Sequence, residues 1–86
     1  MRLRGKVAVV TGSSTGNGAS IAKAFGKEGA DVVVHYRSSD AEAKKVVGAI
    51  RKMGRESVAL KADISVPEET SAMFREVKRK FGRVDV

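Results

Sequence analysis

The apolar residues of the chain fall into blocks that switch between two periods. Residues 6–11, "KVAVVT", are a short β-branched run without alternation, the pattern of a strand covered on both faces. In "GASIAKAFGKEG", Ile21, Ala22 and Phe25 recur at helical spacing, and Gly29 is placed to end the helix. "DVVVHYR", residues 31–37, predicts a second strand. In "SSDAEAKKVVGAIRKMG", Ser39 and Glu42 predict a capping box, and Ala43, Val46, Val47, Ile50 and Met53 form one stripe. Gly54 stops that helix, and "ESVALKAD", residues 56–63, predicts a third strand. "SVPEETSAMFREVKRKFG" opens with a second capping box, Ser65 and Glu68, and carries Pro67 in its first turn. Its stripe is Thr70, Met73, Phe74, Val77 and Phe81, and Gly82 ends it before "VDV" begins a further strand.

Strands alternating with helices of this length predict parallel βαβ units and an α/β fold. Right-handed crossovers place the first two helices on one face of the sheet. The third helix must then lie on the other face, returning "VDV" beside the first strand as the start of a fourth. One helix does not cover a whole face, yet all three strands look apolar on both. The expectation is that more protein belongs on that face, either a C-terminal half or a partner chain.

Composition narrows the class. The 86 residues bound the chain to one domain; they are 42% hydrophobic and 31% charged, as in a globular protein. There is no cysteine, so nothing points to a disulfide framework or a Cys-ligated metal. The basic start is followed by an apolar run of only four residues, 7–10, too short for a signal peptide of about 7–15 apolar residues. No run approaches the ~18 apolar residues of a membrane helix, so a cytoplasmic location is the default expectation. The net charge of +7 raises nucleic-acid binding as an alternative. The cations are spread from Arg2 to Arg83, and their densest group, "REVKRKFGR", interleaves with a helical apolar stripe. With three Phe and one Tyr, the chain offers no stacking platform for bases. A solvated basic face is the simpler reading.

The candidate chemistry lies at "TGSSTGNG", residues 11–18, where the first strand turns into the first helix. A helix N-terminus carries unpaired N–H groups and partial positive charge, and a diphosphate reaches them only where side chains do not intervene. Gly12 permits the tight turn. Gly16 and Gly18 let the backbone close on phosphates and the helix close on the sheet, and Ser13, Ser14 and Thr15 add hydroxyl donors. The spacing matches neither G-x-G-x-x-G, because position 21 is Ile, nor the P-loop, because Asn17 stands where its second glycine belongs.

The pattern T-G-x-x-x-G-x-G resembles the cofactor motif of the short-chain dehydrogenase/reductase family. The resemblance extends over nearly the whole chain: "ALKADIS" is similar to the family's segment after the third strand, and "FGRVDV" to its run into the fourth. "VVVHYRSSDAEAKKVV" looks closest to glucose 1-dehydrogenase-like and 3-oxoacyl reductase-like members. The resemblance implies a doubly wound Rossmann sheet, here a partial one of β-α-β-α-β-α plus the start of a fourth strand, incomplete at the C-terminus. It implies that residues 1–86 are an N-terminal dinucleotide-binding half, and that the whole protein transfers hydride between NAD or NADP and an alcohol or carbonyl. A full-length member is expected to be a homo-oligomer. Carried over by position, Gly12, Ser14, Gly16 and Gly18 line the diphosphate, and Asp63 and Ile64 meet the adenine by side chain and backbone respectively. Asn17 departs from the family's usual apolar residue at a position whose backbone N–H faces the cofactor.

The second strand of such a fold ends beside the adenine ribose. An acid there would repel a 2′-phosphate; this chain has "HYRSS", in which Arg37 can pair with that phosphate and Ser38 can donate to it. NADP is therefore favoured over NAD, with use of both open. His35, on a strand, reads as a packed side chain. The family's catalytic Tyr is followed four residues later by Lys, but Tyr36 is followed by Asp40 and lies in a strand, so no catalytic residue is assigned. The alternative is a stand-alone nucleotide-binding or partner-binding module. A nucleic-acid module, the more distant alternative, predicts affinity that falls steeply with salt.

Overall fold

A computed structural model of the chain describes residues 2–12, 16–38 and 40–85. The elements run β1 (Val7–Val10), α1 (Gly16–Lys27), β2 (Asp31–Tyr36), α2 (Asp40–Lys52), β3 (Ser57–Lys61) and α3 (Pro67–Phe81). The three strands form one parallel sheet in the order β1-β2-β3, with Val10 opposite Val34 and His35 opposite Leu60. This is the α/β arrangement of parallel βαβ units expected from the alternation of periods, and the partial Rossmann sheet that the resemblance implies.

The sheet is covered unequally. On one face, Ala8, Val10, Val32 and Val34 pack against Ala22 of α1 and Ala43, Val46, Val47 and Ile50 of α2. The other face carries α3, whose Val77 closes over Val7 and Val33. Val9, Val58 and Leu60 on that face stay half-buried, since a single helix spans too little of the sheet. The chain then returns to the free edge of β1, as expected. The Asp85 N–H donates to the Val7 carbonyl at 2.8 Å, and the Val7 N–H donates to Asp85 Oδ2 at 2.9 Å. Residues 83–85 lie beside β1 without being part of a strand.

Several local expectations need correction. The α3 capping box does not form: Val66, with extended backbone and no side-chain cap bond, precedes Pro67. The Ser65 hydroxyl donates instead to Asp63 Oδ1 at 2.6 Å, and the Ser65 N–H donates to the same oxygen at 3.0 Å. A short polar turn has captured the hydroxyl that a helix cap would have used. The Ser39–Glu42 box falls on a residue outside those described. Helix α1 begins two residues earlier than its apolar spacing indicates. Its buried line is Ala22 and Gly26, one turn apart, so Ile21 points away and is 47% exposed. In α3 the buried line is likewise Met73 and Val77, and Phe74 stays exposed. Gly26 is a contact that periodicity missed: a Cβ there would sit 3.2 Å from both Ile50 Cγ2 and Met53 Sδ, so its absence lets α1 and α2 approach.

Candidate functional site

In a parallel sheet all strands point the same way, so the segments leaving β1, β2 and β3 open on one edge. The segment after β1 passes through Gly12 at φ +59° and reaches Gly16 at φ +57°. Both lie in the left-handed region, which costs a side chain roughly 1–2 kcal/mol. Among the described residues, a Cβ at either position would meet nothing within 4 Å, so backbone conformation, not crowding by them, demands glycine. Ser14, with Ser13 and Thr15, lies outside the described residues.

Gly16, Asn17 and Gly18 form the first turn of α1, with Gly16 and Asn17 exposed and Gly18 half-buried. That turn contains no acidic side chain, whereas α2 opens with Asp40 and Glu42 and α3 with Glu68 and Glu69. The positive end of α1 is thus left without a carboxylate in its first turn.

Beyond β2 and β3, the residues expected at the ribose and the adenine come together. Arg37 Nη2 lies 3.6 Å from Asp63 Oδ2, with the Arg37 side chain 77% exposed. Asp63's carboxyl is held below its ordinary range by the Ser65 hydroxyl and N–H, with the Arg37 charge adding to the effect. Ile64 is 54% exposed beside it, a large apolar side chain with one face open to solvent. Ser38 is exposed, and its carbonyl accepts the Asp40 N–H at 3.1 Å as the chain enters α2.

Tyr36 donates its hydroxyl to Asp40 Oδ1 at 2.9 Å. That bond pushes the phenol pKa up from 10, the wrong direction for a group that must exchange protons near neutral pH. Tyr36 therefore ties the end of β2 to the start of α2. The Lys78–Lys80 stretch is exposed, and Arg79 is bidentate to Glu76 at 2.6 and 2.8 Å, which fits a solvated basic face. Among the described residues there is no cluster able to hold a metal ion, and no helix is long and apolar enough to cross a membrane.

Sequence reasoning missed one feature of the site. His35 is packed, as expected, at 3% exposure, but it also links the two loops. The Gly12 N–H donates to its Nδ1 at 2.9 Å, and its Nε2 lies 2.7 Å from the Ala62 carbonyl. The available signal was a lone polar residue in the apolar run "VVVHY" of the central strand.

Comparison with known proteins gives a consistent result. The family described as short chain dehydrogenase matches residues 6–86. An uncharacterized oxidoreductase of Methylorubrum extorquens is 49% identical over 85 residues, which are 99% of this chain and 34% of that protein. Versicolorin reductase 1 of Aspergillus parasiticus is 47% identical over 99% of this chain and 32% of its own length. A short chain dehydrogenase from Burkholderia cenocepacia, solved in complex with NADP, superposes with a TM-score of 0.95 at 41% identity, over 99% of this chain and 35% of that one. The chain thus spans about a third of the length of the curated relatives it matches.

Proposed function

Since the chain belongs to the short-chain dehydrogenase family, we propose that residues 1–86 are the N-terminal dinucleotide-binding half of an NADP-preferring oxidoreductase. The observation that carries this reading is the turn after β1: two left-handed glycines with no other described residue crowding them, leading into a helix whose first turn holds no acid. Such a turn fits a diphosphate, because the first N–H groups of α1 have no intrahelical partner and no acidic side chain stands in its first turn. Gly12, Ser14, Gly16, Asn17 and Gly18 hold the diphosphate. Arg37 and Ser38 hold the 2′-phosphate, and Asp63 and Ile64 hold the adenine. Arg37 has five N–H donors, so it can keep its contact with Asp63 while donating to a phosphate. The NADP-bound relative supports the same cofactor.

The bound cofactor supplies hydride to, or takes it from, a carbonyl or alcohol. This chain's residues bind and orient its adenine end; none is assigned to the proton that accompanies the hydride. The whole protein's substrate is an alcohol or carbonyl compound, and residues 1–86 alone are inactive. Titration of the natural protein with NADPH and NADH, followed by protein fluorescence, tests the reading. Saturable binding with NADPH the tighter ligand is expected. Absence of binding to either would overturn it. The half-buried Val9, Val58 and Leu60 favour a second reading, in which this face is the docking surface of a partner-binding module. Binding to neither nucleotide would leave that reading standing.

A further inference from the structure

We infer that His35 is a positioning residue that sets the glycine turn and the adenine loop at a fixed spacing. The inference rests on the dinucleotide reading above. β2 is the central strand, so a side chain near its end can reach the segments leaving both neighbours. His35 does so from a buried position. A peptide N–H can only donate and a carbonyl can only accept. The Gly12 bond therefore requires a lone pair on Nδ1, and the Ala62 bond requires a proton on Nε2. The two contacts select one neutral tautomer.

Each contact falls at a sensitive place. Gly12 is the left-handed pivot on which the chain leaves β1. Ala62 immediately precedes Asp63, and its own N–H donates to the Tyr36 carbonyl at 3.1 Å. Ala62 is thus held to β2 through both its N–H and its carbonyl. The diphosphate turn and the adenine loop are referenced to a single imidazole, although they lie 23 and 27 residues from it in sequence. The Ala62 contact is buried and the Gly12 contact part-buried; losing the former leaves a desolvated carbonyl without that partner, which costs more than the bond itself contributes.

Two conservative variants separate the contacts. In His35→Asn, Oδ1 stands at the same distance along the side chain as Nδ1 and can still accept from Gly12, but nothing reaches Ala62. In His35→Gln, the side-chain NH2 stands where ring Nε2 does and can still donate to Ala62, but the Gly12 acceptor is lost. Two probes read the two loops. NADPH uses both, whereas adenosine 2′-monophosphate has the adenine and 2′-phosphate but no diphosphate. In the intact natural protein, His35→Gln is expected to weaken NADPH about tenfold and leave adenosine 2′-monophosphate unchanged, while His35→Asn weakens adenosine 2′-monophosphate by about tenfold. A general loss of folding would weaken both probes alike in both variants, and that outcome, or wild-type affinities throughout, overturns the inference. Wild-type protein that binds neither probe overturns instead the dinucleotide reading on which the inference rests. Nitrogen NMR of the wild-type imidazole gives a check free of mutation: the Nε2-protonated tautomer is expected, and the Nδ1-protonated one would contradict the geometry.

Discussion

Helices α2 and α3 each begin with two carboxylates in the first turn, while α1 begins with Gly16, Asn17 and Gly18. In α2 and α3 the partial positive charge of the N-terminus is met within the chain, each such acid adding roughly 0.3–1 kcal/mol. In α1 that stabilisation is forgone, and Gly12 and Gly16 in the turn leading to it are held in a conformation only glycine adopts easily. Local stability therefore does not explain α1's start, whereas the proposed anion site would. The same three-part pattern of strand, turn and helix thus occurs twice with an acidic helix start and once without.

The comparison can be broken most severely at its pivot. Gly16→Val places a β-branched side chain at φ +57°, and NADPH affinity is expected to fall more than about 100-fold in an equilibrium titration. Retention of wild-type affinity would mean the anion sits elsewhere. Next in size is Arg37→Asp, which swaps a phosphate partner for a charge that repels it. The ratio of NADPH to NADH affinity should drop roughly 10–100-fold, the worth of a charge-assisted contact. An unchanged ratio would remove Arg37 from the cofactor assignment.

Smaller changes sharpen the contrast between the helices. Asn17→Glu gives α1 the acidic start its neighbours have. It should stabilise the fold by about 0.3–1 kcal/mol in denaturant titration while weakening NADPH several-fold. The reciprocal change, Glu68→Gln in α3, should lose a similar stability, with nucleotide affinity untouched. If both substitutions moved stability and affinity together, the functional difference between the helix starts would be illusory. The smallest effect concerns acid. Asp63's carboxyl lies below its ordinary value of 3.8 when folded, chiefly through its bonds from Ser65. A depressed carboxylate pKa adds stability that is present above 3.8 and is lost as pH falls through the lower folded value. Stability curves of wild type and Asp63→Asn, measured from pH 6 downward, should therefore converge only in acid.

Much of this architecture was legible in the chain because the relevant forces are local. The stripe Ala43, Val46, Val47 and Ile50 announced both α2 and the face it buries, since four apolar residues at one spacing have one way to leave water together. Gly29, Gly54 and Gly82 marked the ends of helices, each at positive φ. Where two local preferences competed, the pattern misled. Ser65 could cap α3 or close a turn with Asp63, and the turn won because the carboxylate two residues back offers a charged acceptor. Ile21 matched the helical spacing yet lies outside the contact line, because α2 approaches α1 at Gly26, where no side chain intervenes.

The site divides in the same way. The sequence by itself determined the element order, the parallel sheet and the place of the glycine turn, because hydrophobic period and glycine's backbone freedom act within a few residues. Only the tertiary structure decided that Arg37 meets Asp63 and that His35 joins Gly12 to Ala62. Those contacts depend on which strand is central and on the register of its neighbours, and neither is written in the spacing of any one segment.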